Sequence, residues 1–183
     1  MEEKKEKHNF PFIEGENINL CPPNMENVTL YVQWMNSPAT RKYARYEFPQ
    51  TIEEVKKLFE PNQENIKNQI FFEIWHKKDN KPIGYTGLIR INWFNRHAMI
   101  FYMIGNTEYW GKNLATEAGK LVITYGFDEL NLHKITAQAY PQNKASVRVA
   151  EKIGLELEIT LKNEAYIDGA YLDVLKYSLI RKK

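Results

Sequence analysis

At 183 residues, with 43% hydrophobic and 13% aromatic residues, the chain is long and apolar enough to bury one sizeable core, which excludes a disordered polypeptide. A formal net charge of +2, with no basic run interleaved with aromatics, argues against a nucleic-acid partner. The single cysteine, Cys21, excludes an internal disulfide and a cysteine metal cluster and points to a reduced, cytoplasmic setting, and the longest wholly apolar run, residues 98–104, is too short to cross a bilayer.

Residues 1–9, beginning MEEKKEKH, are charged from the second position and lack an apolar region, so they read as a disordered tail and not as a signal peptide. Residues 10–183 read as one domain. A first strand is expected over 16–21, stopped by Pro22 and Pro23. A helix follows over 25–35 with Asn24 as N-cap. Thr51 to Glu54 spell a capping box, so a second helix should run from there to about residue 59, closed by Pro61. Residues 70–76, 82–91 and 96–104 read as three strands, the last apolar on both faces as a central strand should be.

Leu114, Ala118, Leu121, Val122 and Tyr125 share one helical face, which predicts a helix from about 114 to 128. A strand over 133–140 and a short helix over 143–152 follow, the helix closed by Gly154. Two last strands, 156–161 and 170–180, flank a turn at Asp168 and Gly169. The order predicts an α/β (α+β) fold: a single mixed, mostly antiparallel central sheet flanked by helices.

The most telling stretch is EYWGKNLATEA, residues 108–118, between the apolar strand and the long helix. Such a loop collects backbone N–H groups at the positive end of a helix dipole, which suits phosphate oxygens. It is neither a P-loop nor a dinucleotide fingerprint, since it lacks both glycine patterns.

This loop is similar to the acyl-CoA pyrophosphate loop of the GNAT N-acetyltransferases. Three further motifs strengthen the likeness: LNLHKI (130–135), NKASVRVAEKIG (143–154) and YIDGAYLDV (166–174). Within that superfamily the chain resembles the ribosomal-protein (Rim-type) and spermidine N-acetyltransferases. The resemblance implies a GNAT-like acyl-CoA N-acyltransferase fold and an acetyl-CoA-dependent acetyltransferase acting on a primary amine by direct transfer in a ternary complex. It implies acetyl-CoA as cosubstrate and no metal.

By the same resemblance, Trp110, Gly111, Lys112, Asn113, Leu114, Ala115 and Thr116 hold the pyrophosphate, and Met103 and Ile104 line the pantetheine and acetyl carbonyl. Asn143 binds CoA as well as capping its helix, and Ser146 is the catalytic residue that gives a proton to the CoA sulfur. Three positions depart from the family pattern. Asn113 stands for a glycine, and Asn tolerates positive φ better than most side chains. Ala150 stands for the tyrosine of polyamine enzymes, and Met99 for a glutamate on the central strand.

No general base stands out. Glu73, His97, Glu108 and Glu164 are the reachable carboxylates and histidine, and His133 reads as structural. The basic, aromatic cluster from Arg41 to Tyr46 offers Tyr43 and Tyr46 as acceptor-site residues, set against its reading as a solvated surface stretch. The expected partner is a small-molecule amine or a protein N-terminus. A polyamine such as spermidine or an amino sugar is the alternative acceptor, and a non-catalytic acyl-CoA-binding regulator is the rival class. Nucleic acid and membrane are not expected, and a homodimer is allowed.

Overall fold

The computed structural model describes residues 10–44, 48–59 and 67–182, so the tail call over 1–9, Pro61 and the cluster residues Arg45 and Tyr46 lie outside the described residues. In chain order the elements are β1 (Ile13–Glu14), β2 (Ile18–Cys21), α1 (Val28–Asn36), α2 (Pro38–Ala44), α3 (Ile52–Phe59), β3 (Ile70–His76), β4 (Lys81–Asn92), β5 (His97–Ile104), α4 (Leu114–Asp128), β6 (Lys134–Ala139), α5 (Lys144–Lys152), β7 (Glu156–Ile167) and β8 (Ala170–Ile180). The strands form one sheet in the order β1-β2-β3-β4-β5-β6-β8-β7. Every neighbouring pair is antiparallel except β5 and β6, which α4 connects as a parallel crossover.

Local chemistry explains most boundaries. The capping box is in place: Thr51 N donates to Glu54 Oε2 at 2.9 Å, and Glu54 N donates to Thr51 Oγ1 at 3.2 Å. Asn24 caps as expected, but what it starts is a 3-10 turn, Met25–Asn27, that leads into α1. Two elements go beyond the sequence reading. β1 has two residues, too few to show an alternation. α2 has seven and gains its hold from tertiary contact, with the buried Thr40 hydroxyl donating to the Trp34 carbonyl at the end of α1. β7 also runs on to Ile167, through two register shifts that keep a long hairpin with β8.

Alternation along β5 sends side chains into two cores. Ala98, Ile100 and Ile104 pack with α4 and α5 against Leu88, Ala118, Val122 and Ile135. Phe101 and Met103 face the other way, toward Tyr31, Trp34, Met35, Val55 and Tyr85 under α1 and α3. α4 lies so close to the sheet that a Cβ at Gly126 would stand 2.9 Å from Ile135 Cδ1. The central strand is therefore clamped from both faces, and α4 is held directly behind its end.

Candidate active site

The pairing of β5 with β6 is short. It holds at His97↔Lys134, Ala98↔Ile135 and Met99↔Thr136, and then the strands part. β5 continues to Ile104 and stays paired with β4 up to that residue. β6 continues to Ala139 with its pairing given to β8. The edge of β5 that faces β6 beyond Met99 is thus open, and the gap widens into a cleft of about 1270 Å³. Its walls are residues 99–104 of β5, the loop 109–116, the end of β6, α5 and part of α2.

The loop is built by backbone conformation. Asn106 opens it, its side chain accepting from Glu108 N at 3.1 Å. Gly111 has φ +75° and no atom within 4 Å of where a Cβ would lie. Asn113 has φ 59° and ψ 8°, the left-handed region, and is the N-cap of α4. Its side chain does not cap; Oδ1 accepts from Lys152 Nζ at 2.8 Å and so ties the loop to α5. Glu117 N is the first amide to bond back, to Asn113 O at 3.0 Å. The amides of Leu114, Ala115 and Thr116 precede it in the first turn, where no intrahelical acceptor exists, and all three residues line the cleft. Lys112 stands beside them, its Nζ 4.9 Å from the centre of the Tyr109 ring.

Three contacts stiffen this cradle. Trp110 Nε1 donates to the Ile104 carbonyl at 2.7 Å, folding the indole over the end of β5. Tyr109 donates to Asp79, holding that carboxyl below its ordinary range. Glu117 accepts from Asn17 N at 2.8 Å and Ile18 N at 3.2 Å, so the acid of the ATEA motif anchors β2.

Across the cleft, Asn143 caps α5 by accepting from Ser146 N at 3.1 Å. Ser146 is half-buried in the first turn, and its Oγ lies 3.4 Å from the hydroxyl of Tyr102. That hydroxyl also donates to the Ser146 carbonyl at 3.0 Å. Burial pushes the Tyr102 phenol up to about 12, so it stays protonated near neutrality. Tyr102 is the residue that reading the sequence missed. Its alternation with Ile100 and Ile104 was visible, but its meeting with Ser146, 44 positions away, was not.

Met103, Ile104, Trp110, Gly111, Lys112, Asn113, Leu114, Ala115, Thr116, Asn143 and Ser146 all line this one cleft, and so does Tyr43 from α2. The suggested bases do not. Glu73 is 1% exposed beneath α1, where it accepts from Asn27 Nδ2 and Tyr31 OH, each at 2.7 Å. His97 stacks on His133 at the far end of β5, Glu108 lies exposed in the turn before the loop, and Glu164 is exposed on β7. Ala150 is fully buried and Met99 lines the cleft, so neither departure offers a proton-transfer group. Cys21 is buried beside Glu73, and burial raises its thiol to about 12. Among the described residues no group of three or more His, Cys, Asp or Glu is placed to hold a metal, and no helix is long and apolar enough to cross a membrane.

The split sheet and the left-handed loop at a helix start accompany a family match: residues 17–156 match the acetyltransferase (GNAT) domain family. The chain belongs to that family and is an N-acetyltransferase. It is 29% identical over 167 residues to the spermidine N(1)-acetyltransferase of Escherichia coli K12, covering 91% of this chain and 88% of that one. It is 33% identical over 105 residues to YdaF of Bacillus subtilis, a protein assigned provisionally to the ribosomal N-acetyltransferases, covering 57% of each chain. Its fold is similar to that of the spermidine N-acetyltransferase from Vibrio cholerae in complex with CoA and spermine, with a TM-score of 0.81 and 25% identity over 90% of this chain and 95% of that one.

Proposed function

We propose that the protein binds acetyl-CoA in the cleft and passes the acetyl group directly to a primary amine. The observation that carries this reading is the parting of β5 from β6 next to the left-handed loop, which offers an open strand edge and a helix-start phosphate cradle to one elongated ligand. The residues fit the cosubstrate. Gly111 and Asn113 take positive φ, residues 112–116 line the cleft at the start of α4, and Lys112, Arg148 and Lys152 line it with positive charge. Met103 and Ile104 lie at the open edge, where a pantetheine arm runs between the strands.

The chemistry then follows from the positions. The amine nitrogen attacks the thioester carbonyl carbon, the C–S bond breaks, and the thiolate takes a proton while the amine gives one up. Ser146 Oγ, held in place as the Tyr102 hydroxyl donates to the Ser146 carbonyl, supplies a hydrogen bond to the developing thiolate. The buried, protonated Cys21 argues for direct transfer and against an acetyl-enzyme. Calorimetric titration with acetyl-CoA, followed by thiol release with an amine panel, tests the whole reading. Binding without release with any amine would make the protein an acyl-CoA-binding regulator instead.

The relatives' acceptors include spermidine, and on sequence grounds a protein N-terminus stands first, ahead of polyamine and amino sugar. One continuous sheet from β1 to β7 supports taking residues 10–183 as one domain.

A further inference from the structure

Resting on the acetyl-transfer reading, the wall of the cleft opposite the CoA loop has a chemistry of its own. Three strands place Phe71, Gly87 and Phe101 in one row across the sheet. The rings of Phe71 and Phe101 meet on this row with centroids 5.3 Å apart. Phe59 meets Phe71 edge-on at 5.1 Å, and Tyr85 extends the wall at 6.0 Å from Phe101. Phe71 and Phe101 are half-exposed into the cleft, with Met35 and Leu58 beside them. The floor is apolar, and it lies on the same sheet face as Met103, whose strand edge carries the thioester in the reading above.

Charge works in the same direction. Lys112, Arg148 and Lys152 belong to the cosubstrate in the reading above, which leaves Lys42 as the cation on this side, and the described residues that line the cleft include no Asp or Glu. Glu73 shares this sheet face but is covered by α1 and bonded to Asn27 and Tyr31. A polyamine carries several ammonium groups, each of which loses hydration on entering, and the described lining offers no carboxylate to offset that loss. A single amine can shed its one proton before reaction.

We infer that the acceptor is a primary amine borne on one large apolar or aromatic group, which packs on the Phe71–Phe101 floor while the nitrogen reaches toward Met103. That chemistry is shared by an arylalkylamine and by the N-terminus of a peptide that begins with a large apolar residue. Aromatic groups meet such rings edge-to-face or offset, a geometry the existing ring pairs already show.

The test is a steady-state comparison of 2-phenylethylamine, phenylalanyl-alanyl-alanine amide, glycinamide and spermidine, with acetyl-CoA affinity measured separately by calorimetry. Either aromatic amine should exceed both glycinamide and spermidine in kcat/KM by at least about tenfold. The better of the two identifies the source as a small amine or a peptide. Phe71→Leu keeps the wall apolar; it should cut the aromatic advantage at least about threefold and leave the acetyl-CoA Kd unchanged. A preference for spermidine, or equal rates for glycinamide and the aromatic amines, with acetyl-CoA still bound, overturns the acceptor inference alone. No acetyl-CoA binding and no thiol release with any amine overturns the acetyl-transfer reading beneath it.

Discussion

Ser146 and Tyr102 form a hydroxyl pair at the place where the leaving thiolate is expected, and the pair separates binding from chemistry. A hydrogen bond that strengthens as charge develops contributes to the transition state and little to the ground state. Ser146→Ala should therefore lower kcat by about ten- to a hundredfold with the acetyl-CoA KM little changed, as steady-state kinetics will show. Normal turnover would reduce Ser146 to a helix-start residue. Cys21 makes the opposite kind of statement. Its thiol is buried beside Glu73 and raised from 9.0 to about 12, so a thiol reagent at neutral pH should label it only after unfolding. Because the folded protein holds that proton more tightly, the stabilisation is complete below pH 9 and is lost as pH rises toward 12. Denaturant midpoints measured across that window check the sign.

Among the elements, α4 and its loop were the most legible, yet one detail came only from the coordinates. The family resemblance places Asn113 at a glycine position, and Asn tolerates positive φ. The structure gives φ 59° and turns the side chain to Lys152. Asn113→Val puts a β-branched residue into the left-handed region and should cost about 1–2 kcal/mol of stability, with weaker acetyl-CoA binding. Asn113→Gly should keep the fold, because the conformation and not the side chain is required, while the link to Lys152 is lost. Thermal melts and calorimetry on the two variants distinguish these outcomes. α2 was not legible at all. Its seven residues show no amphipathic repeat and are held by Thr40 against the end of α1, a contact no local pattern announces.

At the scale of the molecule, two layers of helices press on one sheet and leave the active site where the sheet parts. α1 is docked through a buried carboxylate, Glu73, that takes hydrogen bonds from Asn27 and Tyr31. Tyr31→Phe removes a donor from a buried carboxyl group and should cost about 1–3 kcal/mol, read as a lower denaturation midpoint. The described lining residues of the cleft include no carboxylate and no histidine, and the acetyl-transfer reading expects deprotonated amine to be drawn from solution. The rate at low amine concentration should then climb with pH from about 6 toward the acceptor amine's pKa, about 8 for a peptide N-terminus and about 10 for an alkylamine. A flat profile over that range would require a base outside those residues.

What the sequence determined by itself was local and periodic. It set the helical face of α4, the capping box at Thr51, the cap at Asn143, the central apolar strand, and the loop motif with its three companions that pointed to the family. Each depends on neighbours within a turn or on alternation along one strand, and such signals survive without knowledge of the fold. Only the tertiary structure decided the rest. It parted β5 from β6 after Met99, set the Tyr102 hydroxyl against Ser146, buried Glu73 away from the cleft, and joined Phe71 to Phe101 across Gly87. These pairings join residues distant in the chain, and their geometry follows from how the sheet twists and which helix covers which face, a property of the packed whole.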